Sequence, residues 1–181
     1  MFNNYINSYD KEILIRYFSL ILFTLLFVND IFVDFMSFIL TNLSHLILNL
    51  FFEIELINNF TLLVNNSNYF EVVRECVAPS AYLFLSTIFL TIPIKLNKLF
   101  NILIKSIILF SIFNLFRIII LIIVFIVYGQ EIFDNLHLLF YQVLSGIFVG
   151  FMIVYYLRKN NIKNKFPLIE DVKYIVKRFR S

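Results

Sequence analysis

Apolar residues run along most of this chain in blocks too long for the core of a soluble domain, and polar residues collect at the joints between them. Four blocks, over residues 13–28, 77–94, 100–128 and 132–157, approach or exceed the ~20 residues that cross a ~30 Å hydrocarbon layer at ~1.5 Å rise per residue. A fifth block, residues 31–52, has a different pattern. Asp34, Thr41, His45 and Asn49 recur in it at spacings of four or seven, which gathers them on one helical face. A helix of this kind lies in the membrane interface or lines a cavity.

Basic residues choose between those two placements. Lys11 and Arg16 flank the first block, Lys95, Lys98 and Lys105 surround the link between the 77–94 and 100–128 blocks, and Arg158, Lys159, Lys163 and Lys165 follow the last. All three clusters fall on the cytoplasmic side, as the positive-inside bias requires, if residues 31–52 do not cross. The connection 53–75 then faces outward. Its apolar runs around Ile54, Phe60 and Tyr69, broken by Asn65, Asn66, Ser67 and Asn68, predict a short strand-and-turn element. The expected fold is therefore an all-α polytopic transmembrane bundle with four full spans, an amphipathic helix at the outer face and a small extracytoplasmic strand-and-turn element. Residues 1–157 form one membrane-embedded domain, with a core at about 53–156, and residues 158–181 a basic amphipathic cytoplasmic tail. No small-residue cleavage pattern follows the first block, so it reads as a retained span rather than a signal peptide.

Composition agrees and excludes alternatives. The 181 residues are 61% hydrophobic and 15% charged, which rules out a water-soluble globule. The blocks are too long and too continuously apolar for barrel strands. A net charge of +3, with the basic residues distributed by topology, gives no nucleic-acid footprint. The sole cysteine, Cys76, excludes an intramolecular disulfide. No His, Cys and carboxylate cluster at zinc spacing and no Gly-rich phosphate loop is present, so neither metal nor cofactor is expected.

Ionisable groups at membrane depth carry the functional signal, because burying an Arg there costs at least about 2.5 kcal/mol. Arg117 lies about 15 Å from the outer end of its helix, with Asn114 three residues earlier on nearly the same face. The plainest account of it is a lock between helices, made by pairing with Asp34 or Glu131. His137 enters the last span about 9 Å below its outer end, with Tyr141 one turn further on and Gln142 nearby, either placed to orient the ring. Cys76 stands where the 77–94 block begins, and an adjacent helix N-terminus would lower its pKa. Three different helices thus deliver a candidate nucleophile, a candidate acid or base and a permanent cation to one outer layer. A Cys and His pair is the minimal apparatus of covalent acyl transfer, and an Arg can stabilise the oxyanion or hold a carboxylate.

In their order, Cys76 at the start of one span, Asn114 with Arg117 in the next and His137 near the start of the one after, the chain resembles the exosortase and archaeosortase family of membrane transpeptidase-like enzymes. Bacterial exosortases follow their Cys with Ser and Gly, where Val77 and Ala78 stand here, and the small size is more similar to a compact archaeosortase. The resemblance implies that Cys76, Arg117 and His137 are the catalytic set, supported by Asn114 and Tyr141. It also implies substrates among surface proteins that end in a sorting motif, an apolar helix and a basic tail, cleaved at the motif and transferred to an acceptor such as a membrane lipid. From another class, a small transporter or scaffold would line a polar path with Arg117, His137 and Asp34, and Cys76 would be incidental.

Overall fold

The computed structural model describes residues 8–64, 68–92, 94–162 and 176. The tail expected over 158–181 therefore lies mostly outside the described residues. The rest is mostly helical with one small sheet. Helix α1 (Ser8–Val28) is followed after a single residue by α2 (Asp30–Leu48), because Asn29 is extended and its side chain accepts the Ile31 N–H at 3.0 Å, which caps the new helix. Strands β1 (Ile54–Asn58), β2 (Thr61–Val64) and β3 (Asn68–Glu71) form an antiparallel sheet in sequence order, at the place where the polar and apolar alternation predicts a strand-and-turn element. The one-turn helix α3 (Arg74–Val77) leads into α4 (Pro79–Thr91), and the chain then enters the long α5 (Leu96–Tyr128). Gly129, at φ 81, makes the corner into α6 (Gln130–Leu139), a conformation that a side chain would disfavour. A π-helical turn over Phe140–Leu144 connects α6 to α7 (Ser145–Lys159).

Among the described residues three helical stretches are long and apolar enough to cross a membrane: Asp30–Leu48, Leu96–Tyr128 and the continuous Gln130–Lys159. Of the four spans expected from the sequence, the last two have these helices, while the third candidate, α2, is the segment expected to lie at the outer face without crossing. The first block forms a 21-residue helix, but Asp10, Lys11, Glu12 and Arg16 occupy its opening turns. The 77–94 block is shorter than expected. Its helix starts at Pro79, a residue suited to a first turn, and stops at Thr91, where Ile92 is extended as the residue before Pro93 must be. Those 13 residues span about 20 Å.

The outer faces are apolar. Leu14, Phe18, Ile21 and Leu25 on α1, Ile104, Ile108 and Phe116 on α5, and Ile147 and Phe151 on α7 are all exposed, which suits contact with hydrocarbon and not with water. Inside, Phe27, Phe32, Tyr82 and Phe110 meet edge-on or tilted, with ring centroids 4.7 to 5.7 Å apart, and join α1, α2, α4 and α5.

Contacts sort the joints into two ends of the bundle. At one end, Phe70 of β3 packs on Phe125 near the end of α5 and on Phe133 at the start of α6. Arg74 of α3 pairs with Asp30 and donates to the Val28 carbonyl, at the joint between α1 and α2. The far end of α2 reaches the same sheet, since His45 Nε2 lies 3.1 Å from the Ile54 carbonyl of β1. The N-terminal end of α2 is thus tied to α3 and its C-terminal end to β1. The polar residues read from its periodicity divide: Thr41 is buried together with Ser37 and Ser44, while Asp34 is exposed. At the opposite end Lys98 donates to the Asn160 carbonyl, joining the start of α5 to the end of α7.

Candidate active site

The site forms where the one-turn helix α3 meets the middle of α5. A single turn cannot satisfy its own carbonyls, and Ala78 ends it in the left-handed conformation (φ 56, ψ 54), donating its N–H to the Arg74 carbonyl. Two side chains of α5 supply the missing donors. The Asn114 amide donates to the carbonyls of Cys76 at 2.8 Å and Val77 at 3.1 Å. Arg117 Nη2 donates to the carbonyls of Cys76 at 2.6 Å and Glu75 at 3.0 Å, and Nη1 donates to Ser145 Oγ at 3.0 Å. The Asn and Arg spacing read from the sequence thus serves one purpose: both residues converge on the peptide carbonyl of the cysteine. Arg117 is 1% exposed and Asn114 fully buried.

This arrangement corrects the plain account of Arg117. Among the described residues it pairs with neither Asp34 nor Glu131. Its charge is stabilised by three neutral acceptors, each charge-assisted hydrogen bond contributing about 1.5–3 kcal/mol. Asn114 does not hold the guanidinium but works beside it on the same carbonyl.

Cys76 is 2% exposed. Burial pushes its thiol above the ordinary range; the Arg117 charge and the backbone at Val73 pull the other way without overcoming it. The sequence leads to the opposite expectation, because it places the thiol at the start of a long helix. In the fold Cys76 belongs to a separate four-residue turn, too short to carry an appreciable dipole, and α4 begins only after Ala78.

His137 is half-buried. Its ring stacks on Phe133, 5.6 Å between centroids and 15° apart, and its Nε2 is buried with no hydrogen-bond partner. Arg117, Glu75 and Asp134 are the charged groups within electrostatic reach of it. It therefore borders the same cluster, but no hydrogen bond joins it to Cys76, and Phe133 rather than Tyr141 supports its ring. Tyr141 is exposed and forms part of two open clefts beside the α4 N-terminus, one lined also by Glu75 and the other by Ser145. One, of about 310 Å³, is walled by Phe27, Val28, Arg74, Glu75 and Leu83; the other, of about 320 Å³, by Ala78, Phe84, Gln142, Ser145 and Val149. Pro79 or Ser80, the first residues of α4, faces each.

Sequence reasoning missed Ser145 and Phe133. Ser145 lies within an apolar span two turns beyond His137, so its hydroxyl is the kind of intramembrane polar group that marks a contact between helices. Phe133 gives no such signal among 24 phenylalanines. Among the described residues no group of three or more His, Cys, Asp or Glu side chains gathers where a metal could be held. Comparison of the chain with protein-family models, with curated proteins and with solved structures finds no match in any of the three.

Proposed function

We propose that this chain is a membrane-embedded cysteine peptidase and transpeptidase of the exosortase and archaeosortase type, with Cys76 as nucleophile, His137 as general acid and base, and Arg117 as the group that anchors the nucleophile's turn. The observation that carries the reading is the convergence of Arg117 and Asn114 on the Cys76 carbonyl; His137 Nε2, buried with no hydrogen-bond partner, is the ring nitrogen assigned to proton transfer. A purely structural lock between helices would not need to gather on the only cysteine. A second observation agrees. Ala78 occupies the position where bacterial exosortases carry Gly after Cys and Ser, and its backbone holds the left-handed conformation that favours Gly.

The topology belongs to the same proposal. Helices α1, α4, α5 and the α6 to α7 unit cross the bilayer as four spans, and α2 lies at the outer face with the sheet. Supporting this are the attachment of α2 to β1 at its C-terminal end and to α3 at its N-terminal end, and the placement of Lys98 and Asn160 together among the basic residues at the start of α5 and the end of α7. Cys76 and His137 then face the extracytoplasmic side of a cell membrane.

In the resting state the thiol is protonated and covered, so the reaction waits for substrate. A surface protein whose C-terminal segment crosses the same bilayer presents its scissile bond at the level of the clefts beside α4, which restricts its search to one layer. As Cys76 Sγ attacks the peptide carbonyl, His137 Nε2 takes the thiol proton and returns it to the departing amine; the C–N bond breaks and a thioester forms. A hydroxyl or amine of the acceptor then attacks the thioester carbonyl, gives its proton to His137 and releases the thiolate, which is reprotonated. The rival polar path lacks one wall: Asp34 is exposed on α2 and, among the described residues, shares no hydrogen bond or ion pair with Arg117 or His137. The reading is tested by processing of a membrane-anchored surface protein in cells carrying Cys76→Ala or Cys76→Ser. Loss in both is expected; full processing in both excludes the covalent mechanism.

A further inference from the structure

Ser145 is 4% exposed and sits at the junction of the π-helical turn and α7. Its backbone N–H and its Oγ both bond the Phe140 carbonyl, five residues back, the hydroxyl at 2.8 Å. A hydroxyl has one proton, and here the carbonyl receives it. The oxygen's lone pairs are thereby turned toward Arg117, which can only donate, and Nη1 does so at 3.0 Å. In an ordinary α-helix a serine bonds back three or four residues; the five-residue reach follows from the wider π turn. A continuous series of bonds therefore runs from the Phe140 carbonyl through Ser145 and Arg117 to the carbonyls of Cys76 and Glu75. Among the described residues it is the hydrogen-bonded link between the helix that carries His137 and the turn that carries Cys76.

We infer that Ser145 is a positioning residue, which acts through Arg117 to fix the His137 helix against the Cys76 turn. It makes no contact with a reacting atom. Its catalytic consequence rests on the cysteine-peptidase reading; its effect on the Cys76 turn does not, and the two can be measured apart.

The test uses the full chain in lipid nanodiscs, where Cys76 is the only cysteine and its alkylation by N-ethylmaleimide reports one site. Ser145→Ala leaves a buried guanidinium nitrogen without its acceptor and is expected to raise the alkylation rate about tenfold. Should that variant fold poorly, Ser145→Thr and Ser145→Val give the same comparison at nearly equal volume, with the hydroxyl kept in the first and lost in the second. Thr should hold the wild-type rate within about twofold and Val should match Ala. In an Arg117→Gln background, Ser145→Ala should change the rate little further, because its route of action is already cut. Equal rates in wild type, Ala and Val, or an undiminished effect of Ser145→Ala in the Arg117→Gln background, would overturn the inference. A second readout concerns the reaction: Ser145→Ala should lower kcat for surface-protein processing with KM held, and Ser145→Thr should restore it. An unchanged kcat in Ser145→Ala would overturn the catalytic role. Processing that survives Cys76→Ala would instead sink the enzyme reading and leave the alkylation result to stand or fall alone.

Discussion

Replacement of Arg117 by Lys keeps the charge and removes the geometry. The guanidinium spreads two nitrogens over three acceptors, Ser145 Oγ on one side and the carbonyls of Glu75 and Cys76 on the other, at 2.6 to 3.0 Å. A Lys ammonium is one atom on a shorter stem, so it cannot serve both sides together. At least one charge-assisted hydrogen bond is lost and a second weakened, at about 1.5–3 kcal/mol for each, giving a local loss of about 3 kcal/mol. The Cys76 carbonyl keeps its bond from Asn114, so the turn is loosened rather than released. Since the thiol is 2% exposed, its alkylation requires local opening, and the rate follows the opening equilibrium. A loss of about 3 kcal/mol, at about 1.4 kcal/mol per factor of ten, predicts alkylation roughly 100-fold faster in Arg117→Lys. The assay is N-ethylmaleimide labelling of the chain in nanodiscs, read by intact mass, with Tm measured in parallel to separate local from global opening. Alkylation at the wild-type rate in a folded Arg117→Lys protein would refute the claim that Arg117 holds this turn.

Other outcomes follow from the same contacts. Because burial raises the Cys76 pKa, its alkylation rate should keep climbing with pH through and beyond about pH 8.5, the ordinary thiol range, and a plateau below that would contradict the buried, protonated resting thiol. The sign for stability is the matching one: the folded state favours the protonated thiol, so this group's contribution is constant below the unfolded thiol pKa and is lost as pH rises through the raised folded value, which pH-dependent Tm measurements would detect. Ala78→Gly should leave stability unchanged or raise it by up to about 1 kcal/mol, since relief of the left-handed backbone outweighs or balances the added unfolded-state entropy, whereas Ala78→Val should lower it; calorimetry in nanodiscs decides. Phe70→Ala should detach the sheet from Phe125 and Phe133 at a cost of about 3–5 kcal/mol, seen as faster hydrogen exchange in β2 and β3, and unchanged exchange would rule out that anchorage.

The pattern of apolar blocks was enough to locate every long helix among the described residues, and the sheet, because helix formation in hydrocarbon is imposed by the backbone's need for internal hydrogen bonds. Helix ends were less legible. The block that opens at Val77 yields a helix only from Pro79, since the left-handed Ala78 breaks the chain between the cysteine's turn and α4, and no glycine advertises that break. Asn114 and Arg117 were readable as a pair from charge at depth and i, i+3 spacing, but their targets were not. Those targets are backbone carbonyls, which every residue carries and no sequence pattern marks. The π turn, from whose end Ser145 meets Arg117, is equally silent in the sequence, and Tyr141 within it lines the clefts. The proposed reaction turns on chemistry at one sulfur, that of Cys76.

That chemistry can be observed on the chain itself. Isolated under acid conditions from cells that supply a membrane-anchored substrate, the protein should carry a hydroxylamine-labile adduct on Cys76, seen by mass spectrometry, that disappears in Cys76→Ala. A Cys76 that stays unmodified while substrate is being cleaved would contradict the thioester mechanism.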